Sequence, residues 1–272
     1  MKAPDQKKLI DVERVIQSKS PGLYRILPRF ILNWLKKKLH EEQINHGLSV
    51  CGHLKGHAFN EAAIEYLGIN VVWEGEEHIP KTGGVIIASN HPLGGLDGLA
   101  FIRAVSSVRK DIRFLVNDIL KNFSGYGELF VGVNKVGSTP ADALKAIEDV
   151  YASEHAVLVF PAGLVSRKQG GKIKDLEWKK SFVSKAIKYN KAIVPVFIDG
   201  ANSNFFYNFA LWRKRLGIKA NIEMFFLADE MFRQKNKTIK VIIGKPFYPE
   251  TLDKSKSQQE WAQEIKECVY RL

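Results

Sequence analysis

At 272 residues, 45% of them hydrophobic, the chain is long enough for one large domain with a substantial core. Lys and Arg number 41 against 29 Asp and Glu, and the net charge of +12 favours nucleic acid, an acidic protein or an acidic lipid surface as partner. No apolar run reaches the roughly 18–20 residues that span a bilayer, the polar opening predicts no secretory leader, and Cys51 and Cys268 lie too far apart in sequence to suggest a disulfide framework, so a cytoplasmic location is expected.

Residues 1–68 read as a polar-rich helical segment that ends at Gly68. Within it, "LYRILPRFILNWLKKKL" (23–39) spaces its apolar residues by three and four, with basic residues between them. Pro28 divides the stretch into a turn and a helix. A basic amphipathic helix carrying Phe30, Trp34, Lys36, Lys37 and Lys38 suits an anionic membrane surface, and such a stripe also packs on its own protein. "HGLSVCGHLKGH" gathers His46, Cys51, His53 and His57, yet the spacings match no zinc signature and no metal site is expected.

The remainder, 69–272, alternates short apolar strands with helix-like segments. Strands are predicted at 71–74, 85–89, 113–116, 129–133, 156–160, 193–198 and 239–243, and helices at 97–108, 140–153, 178–189 and 258–271. This order implies an α/β fold: a mixed, largely parallel central sheet covered by helices on both faces, with the helical segment in front. The polar stretch 168–177 reads as a loop, and its "QGGKIK" lacks the residues of a phosphate-binding loop.

Sites in such sheets form beyond the carboxyl ends of strands. Three loops with unusual chemistry stand there: "NHPLGGLDG" after 85–89, "FPAGLVSRK" after 156–160 and "DGANS" after 193–198. In the first, His91 suits a general base, and Asp97 would fix its tautomer if Gly94 and Gly95 let the chain turn back. Asp97 also stands where a helix N-cap would. In the second, Phe160, Pro161 and Gly163 form a turn that either presents N–H groups to an anion or only closes the strand. Asn202 in the third suits an acceptor pocket or an ordinary turn. No Ser or Cys occupies a nucleophile elbow, which argues against a serine lipase and an acyl-enzyme. The aromatic and basic run 205–217 leaves a non-catalytic module binding membranes or nucleic acid as the rival class.

"NHPLGGLD" resembles the His-Asp signature of the glycerolipid, or lysophospholipid, acyltransferase superfamily, in its bacterial hemolysin-like branch. "GELFVGVNK" (127–135), "FPAGLVSRK" (160–168), "IVPVFIDG" (193–200) and "IIGKPF" (242–247) follow in the family's order. The resemblance implies transfer of a fatty acyl group from acyl-CoA or acyl carrier protein, as co-substrate and without a cofactor, to a lyso-lipid hydroxyl. It implies His91 as general base, Asp97 as its orienting partner, and work at the inner face of the cell membrane, with no nucleic acid involved. Three departures stand out. Five residues rather than four separate His91 from Asp97; Val133 holds the second block's Arg position, with Lys135 two residues on; and Ala162 replaces the Glu of Phe-Pro-Glu-Gly-Thr-Arg, whose Arg is displaced to Arg167. Lys135 and Arg167 are expected to hold an anionic head group. Lysophosphatidate is the first acceptor, and a lyso-aminolipid of the ornithine- or glycine-lipid type the alternative.

Overall fold

The computed structural model describes residues 10–117, 125–133, 141–219 and 221–272. Among the described residues, helices come first: α1 (Val12–Lys19), α2 (Pro21–Ile26), α3 (Arg29–Lys38), α4 (Glu41–Cys51) and α5 (Gly56–Leu67). Pro28 caps α3 with extended dihedrals, and Gly68 ends α5 in the left-handed region at φ 62°. Phe59, Ile64 and Leu67 of α5 are buried in the same core as the sheet.

The strands among the described residues are β1 (Asn70–Glu74), β2 (Val85–Ser89), β3 (Ile112–Asn117), β4 (Phe130–Val133), β5 (Ala156–Val159), β6 (Arg167–Gln169), β7 (Lys172–Lys174), β8 (Ala192–Asp199) and β9 (Thr238–Ile243). The sheet order is β1-β9-β8-β2-β5-β3-β4. Every neighbouring pair is parallel except β8 with β9, as a mixed, largely parallel sheet requires. Strand β2 lies at its centre and is buried throughout. Its side chains alternate between two cores: Val85 and Ile87 face one, Ile86 and Ala88 the other.

Among the described residues, further helices follow the first strands: α6 (Gly95–Ser106), α7 (Ala141–Ala152), α8 (Ser181–Lys188), α9 (Asn204–Arg215), α10 (Leu227–Phe232) and α11 (Gln258–Val269). Helices α5 and α6 cover one face of the sheet, α8 and α11 the other. The stretch expected as a loop at 168–177 instead holds the antiparallel hairpin β6–β7. Gly170 and Gly171 take φ 55° and 82°, the dihedrals of a two-residue type I′ turn, so the glycines read as loop signals are hairpin signals. The 205–217 run is largely α9.

Candidate active site

Strands β8, β2 and β5 are adjacent and parallel, so the three loops emerge side by side at one edge of the sheet. Asn90, just past β2, donates from Nδ2 to the Ile198 carbonyl at 2.9 Å and accepts the Ile198 N–H at 2.7 Å. The next residue, His91, is clamped through its backbone. Its N–H donates to Asp175 Oδ1 at 3.2 Å, and its carbonyl accepts the Ser166 N–H at 2.7 Å. The imidazole is thereby aimed by main-chain bonds before its side chain makes any contact.

Gly94 then reverses the chain with φ 84° and ψ −126°. A Cβ there would also press on Leu227 at 3.2 Å, whereas one on Gly95 would meet nothing. One glycine of the pair is therefore required by geometry, and it is Gly94. Asp97, in the first turn of α6, comes back to the His. Its Oδ2 accepts from Leu93 N–H at 2.7 Å, Gly94 N–H at 2.9 Å and His91 Nδ1 at 2.8 Å. The fifth intervening residue is absorbed by this turn. Asp97 is both helix cap and His partner.

Asp97 is fully buried, and burial pushes its carboxyl above the ordinary carboxylate value, opposed by the three donors. The helix N-terminus adds a positive field that favours its charged form. A carboxylate accepting at Nδ1 assigns the His proton there and leaves the Nε2 lone pair free to take a proton. The His91 side chain is 17% exposed, enough to meet a substrate hydroxyl. Phe160 stacks on the imidazole with centroids 4.1 Å apart and planes 13° apart, which places it beside His91.

Other expected residues take different roles. The Gly163 N–H donates to the Phe160 carbonyl at 2.9 Å, and the Pro161 carbonyl accepts the Lys179 N–H. Together they shape the turn after β5. Buried Asn202 donates to the Pro92 carbonyl at 3.1 Å and braces the His91 loop from behind. Arg167 does not present an open fork: it ion-pairs with fully buried Glu223 at 2.7 Å, lies 5.4 Å over the Phe206 ring, and shares Glu223 with Arg213. Burial lowers the Arg167 pKa, and the Glu223 carboxylate opposes that shift. Lys135 lies outside the described residues. On α3, Phe30 and Trp34 are exposed, as is Lys37, while Lys36 pairs with Glu13 and Lys38 with Asp229. In the His-rich stretch, His57 bonds Ser106 Oγ and the Lys110 carbonyl, and among the described residues no three His, Cys, Asp or Glu side chains group as metal ligands.

Sequence reasoning missed Asp175. It is fully buried and accepts from His91 N–H, Ser166 Oγ at 2.6 Å and Trp178 Nε1 at 2.8 Å, while its own N–H donates to Tyr270 Oη. The available signal was faint: the first of two acids, Asp175 and Glu177, between a lysine-rich hairpin and Trp178.

A His-Asp dyad at the carboxyl edge of a largely parallel sheet, with no Ser or Cys side chain bonded to the imidazole among the described residues, is an arrangement that can activate an incoming hydroxyl. The sequence profile of the family described as Acyltransferase matches residues 14–272. The chain is 43% identical over 265 residues to the lyso-glycine lipid O-acyltransferase of Phocaeicola vulgatus, covering 97% of this chain and 95% of that protein. To the lyso-glycine lipid O-acyltransferase of Bacteroides thetaiotaomicron it is 44% identical over 266 residues, covering 97% of each. A 1-acyl-sn-glycerol-3-phosphate acyltransferase of Borreliella burgdorferi matches at 29% over 57% of this chain and 61% of its own. The crystal structure of the 1-acyl-sn-glycerophosphate (LPA) acyltransferase PlsC from Thermotoga maritima shares the fold, with a TM-score of 0.50 and 18% identity over 96% of this chain and 94% of that one. The chain belongs to this acyltransferase family, within the glycerolipid acyltransferase superfamily, and the protein is an acyltransferase.

Proposed function

We propose that the protein transfers a fatty acyl group from an acyl thioester to the free hydroxyl of a lyso-glycine lipid. The observation that carries this choice of acceptor is the full-length similarity to two enzymes named for that acceptor. The site supports it. The Glu position of the third block is Ala162, and the displaced Arg167 spends its charge on Glu223. A glycine carboxylate carries a single charge and asks less of the site than a phosphate monoester. Lysophosphatidate, the first acceptor that the sequence suggested, is accordingly the second reading.

In the proposed reaction, His91 Nε2 takes the proton of the acceptor hydroxyl as its oxygen attacks the thioester carbonyl. Asp97 stabilises the imidazolium that forms. As the tetrahedral intermediate collapses, the carbon–sulfur bond breaks and the thiolate takes the proton from His91. An ester and a free thiol result, and both dyad members end as they began. Phe160 holds the ring in plane through this cycle. The donor is acyl-CoA or acyl carrier protein, and the exposed aromatics of α3 seat the enzyme on the inner face of the membrane, where both lipids lie.

The test offers labelled acyl-CoA and acyl carrier protein thioesters with lyso-glycine lipid or lysophosphatidate to the purified enzyme and its His91→Ala variant. Labelled diacylated glycine lipid from wild type alone is expected. Product only from lysophosphatidate would overturn the acceptor, and equal product from both proteins would overturn the role of His91.

A further inference from the structure

Two stretches of the chain carry basic residues and not one carboxylate. Residues 21–40 hold five Lys or Arg and residues 200–222 hold four, with no Asp or Glu in either. The fold sets them against each other. Trp34 of α3 meets Phe226 edge-on at 6.4 Å, and Phe226 meets Phe209 of α9 at 5.2 Å. Between them runs an apolar groove of about 180 Å³, walled by Leu35 and Leu39 on one side and Phe209 and Phe225 on the other.

Helix α9 carries two apolar faces, and protein covers only one. Phe206, Tyr207 and Ala210 are buried. Phe205, Phe209, Trp212 and Leu216 form a second stripe at spacings of four, three and four, which aligns them on one side of a helix. On that stripe Trp212 is 67% and Leu216 73% exposed; Phe225, in the 3₁₀ turn Ile222–Phe226, is 59% exposed. Lys214, Arg215 and Lys219 flank the stripe, are exposed, and have no carboxylate partner among the described residues. The face also adjoins the catalytic loop. Leu227, next to Phe226, lies against Gly94, whose N–H bonds Asp97.

We propose that α9 and the turn Ile222–Phe226 form a second lipid-docking element, which sits with α3 on an anionic bilayer surface. Aromatic and leucine side chains enter the headgroup–acyl boundary while the cations meet acidic headgroups. Charge complementarity selects this occupant: the exposed charges of the two facing segments, Arg25, Arg29, Lys37, Lys214, Arg215 and Lys219, are all cationic, and a bilayer containing acidic lipid is the extended anionic surface that also accepts apolar side chains. With both elements seated, the loop of His91 is held at the depth where lyso-lipid hydroxyls lie. This deepens the α3 docking reading and rests on it.

The experiment sediments the full chain with vesicles of phosphatidylcholine alone or mixed with phosphatidylglycerol. Wild type, Trp34→Glu on α3, and Trp212→Glu with Leu216→Glu on α9 are compared, with circular dichroism melting as the check on fold. Wild type is expected to partition onto mixed vesicles at least about tenfold more strongly than onto neutral ones, and the α9 variant to lose about tenfold with an unchanged melt. Loss in Trp34→Glu alone would leave the α3 reading standing and overturn the second element. Binding by none of the proteins would overturn both. A dimer in sedimentation velocity that the α9 variant dissolves would make a second copy the occupant and overturn the lipid assignment.

Discussion

Asp175 holds the backbone of His91, accepting its N–H at 3.2 Å across 84 residues of sequence. The same carboxylate receives the Ser166 hydroxyl and the Trp178 indole N–H, and the Tyr270 hydroxyl also bonds it. Asn at this position has one acceptor oxygen, and its amide nitrogen then faces a donor whichever way it turns. Asp175→Asn is expected to cost about 1–3 kcal/mol, read as a lower Tm, and to reduce kcat through the loosened His91. In the Trp178→Phe background, where one donor is gone, Asp175→Asn is expected to cost less than in wild type. A double-mutant cycle with no such coupling would reject the clamp.

At Asp97 the same isostere is tolerated structurally. All three donors meet Oδ2, while Oδ1 is buried without a partner. The amide oxygen of Asp97→Asn can take the Oδ2 place and keep every bond, but the negative charge is gone. Turnover is expected to fall by about 10²–10⁴ with little change in Tm, whereas Asp97→Ala loses both. Since burial raises the Asp97 pKa, the carboxylate takes up a proton at a higher pH than an exposed Asp, and kcat/KM falls as it does. Asp97→Asn should flatten that part of the acid limb.

The central sheet was legible because its strands are short apolar runs, and β2, buried on both faces, shows no alternation to confuse the reading. His91 and Asp97 were legible because they lie six residues apart around a turn. Asp175 and Glu223 were not, since each owes its place at the site to one partner far away in sequence, His91 for Asp175 and Arg167 for Glu223, and an acid on a basic chain reads as solvated surface. Arg167 was visible by type, but its buried pairing with Glu223 is a tertiary fact. The hairpin at 167–174 was missed because two glycines mark a loop and a tight turn equally well.

Helices α7 and α8 are joined through Glu148, which accepts from Lys185, Lys188 and Tyr189. These partners hold its carboxyl down to about 2, against 4.5 for the free side chain. A lowered folded-state pKa contributes stability above the unfolded value and loses it as pH falls. Glu148→Gln is therefore expected to lower Tm at pH 7, by the equivalent of less than about 1 kcal/mol because the group is half open to solvent. The gap between the two proteins should narrow from pH 4.5 downward and close near pH 2. A gap independent of pH would mean the effect is not electrostatic.

Glu223 is the one carboxylate between two arginines, with Arg167 Nη2 and Arg213 Nε each at 2.7 Å. The cluster therefore carries a single net positive charge in a buried place. Glu223→Gln keeps the shape and doubles that charge, leaving two guanidiniums facing each other without compensation. Removing one partner of such a cluster costs about 3–5 kcal/mol, on the order of 10 °C in Tm for a chain of this size. Activity should fall as well, because Arg167 follows Ser166, whose N–H anchors the His91 carbonyl. Adding Arg213→Gln returns the balance to one positive charge and is expected to recover part of both losses. Thermal melts and turnover of the single and double variants decide it: a double variant no better than the single would show that packing, not charge, makes Glu223 necessary.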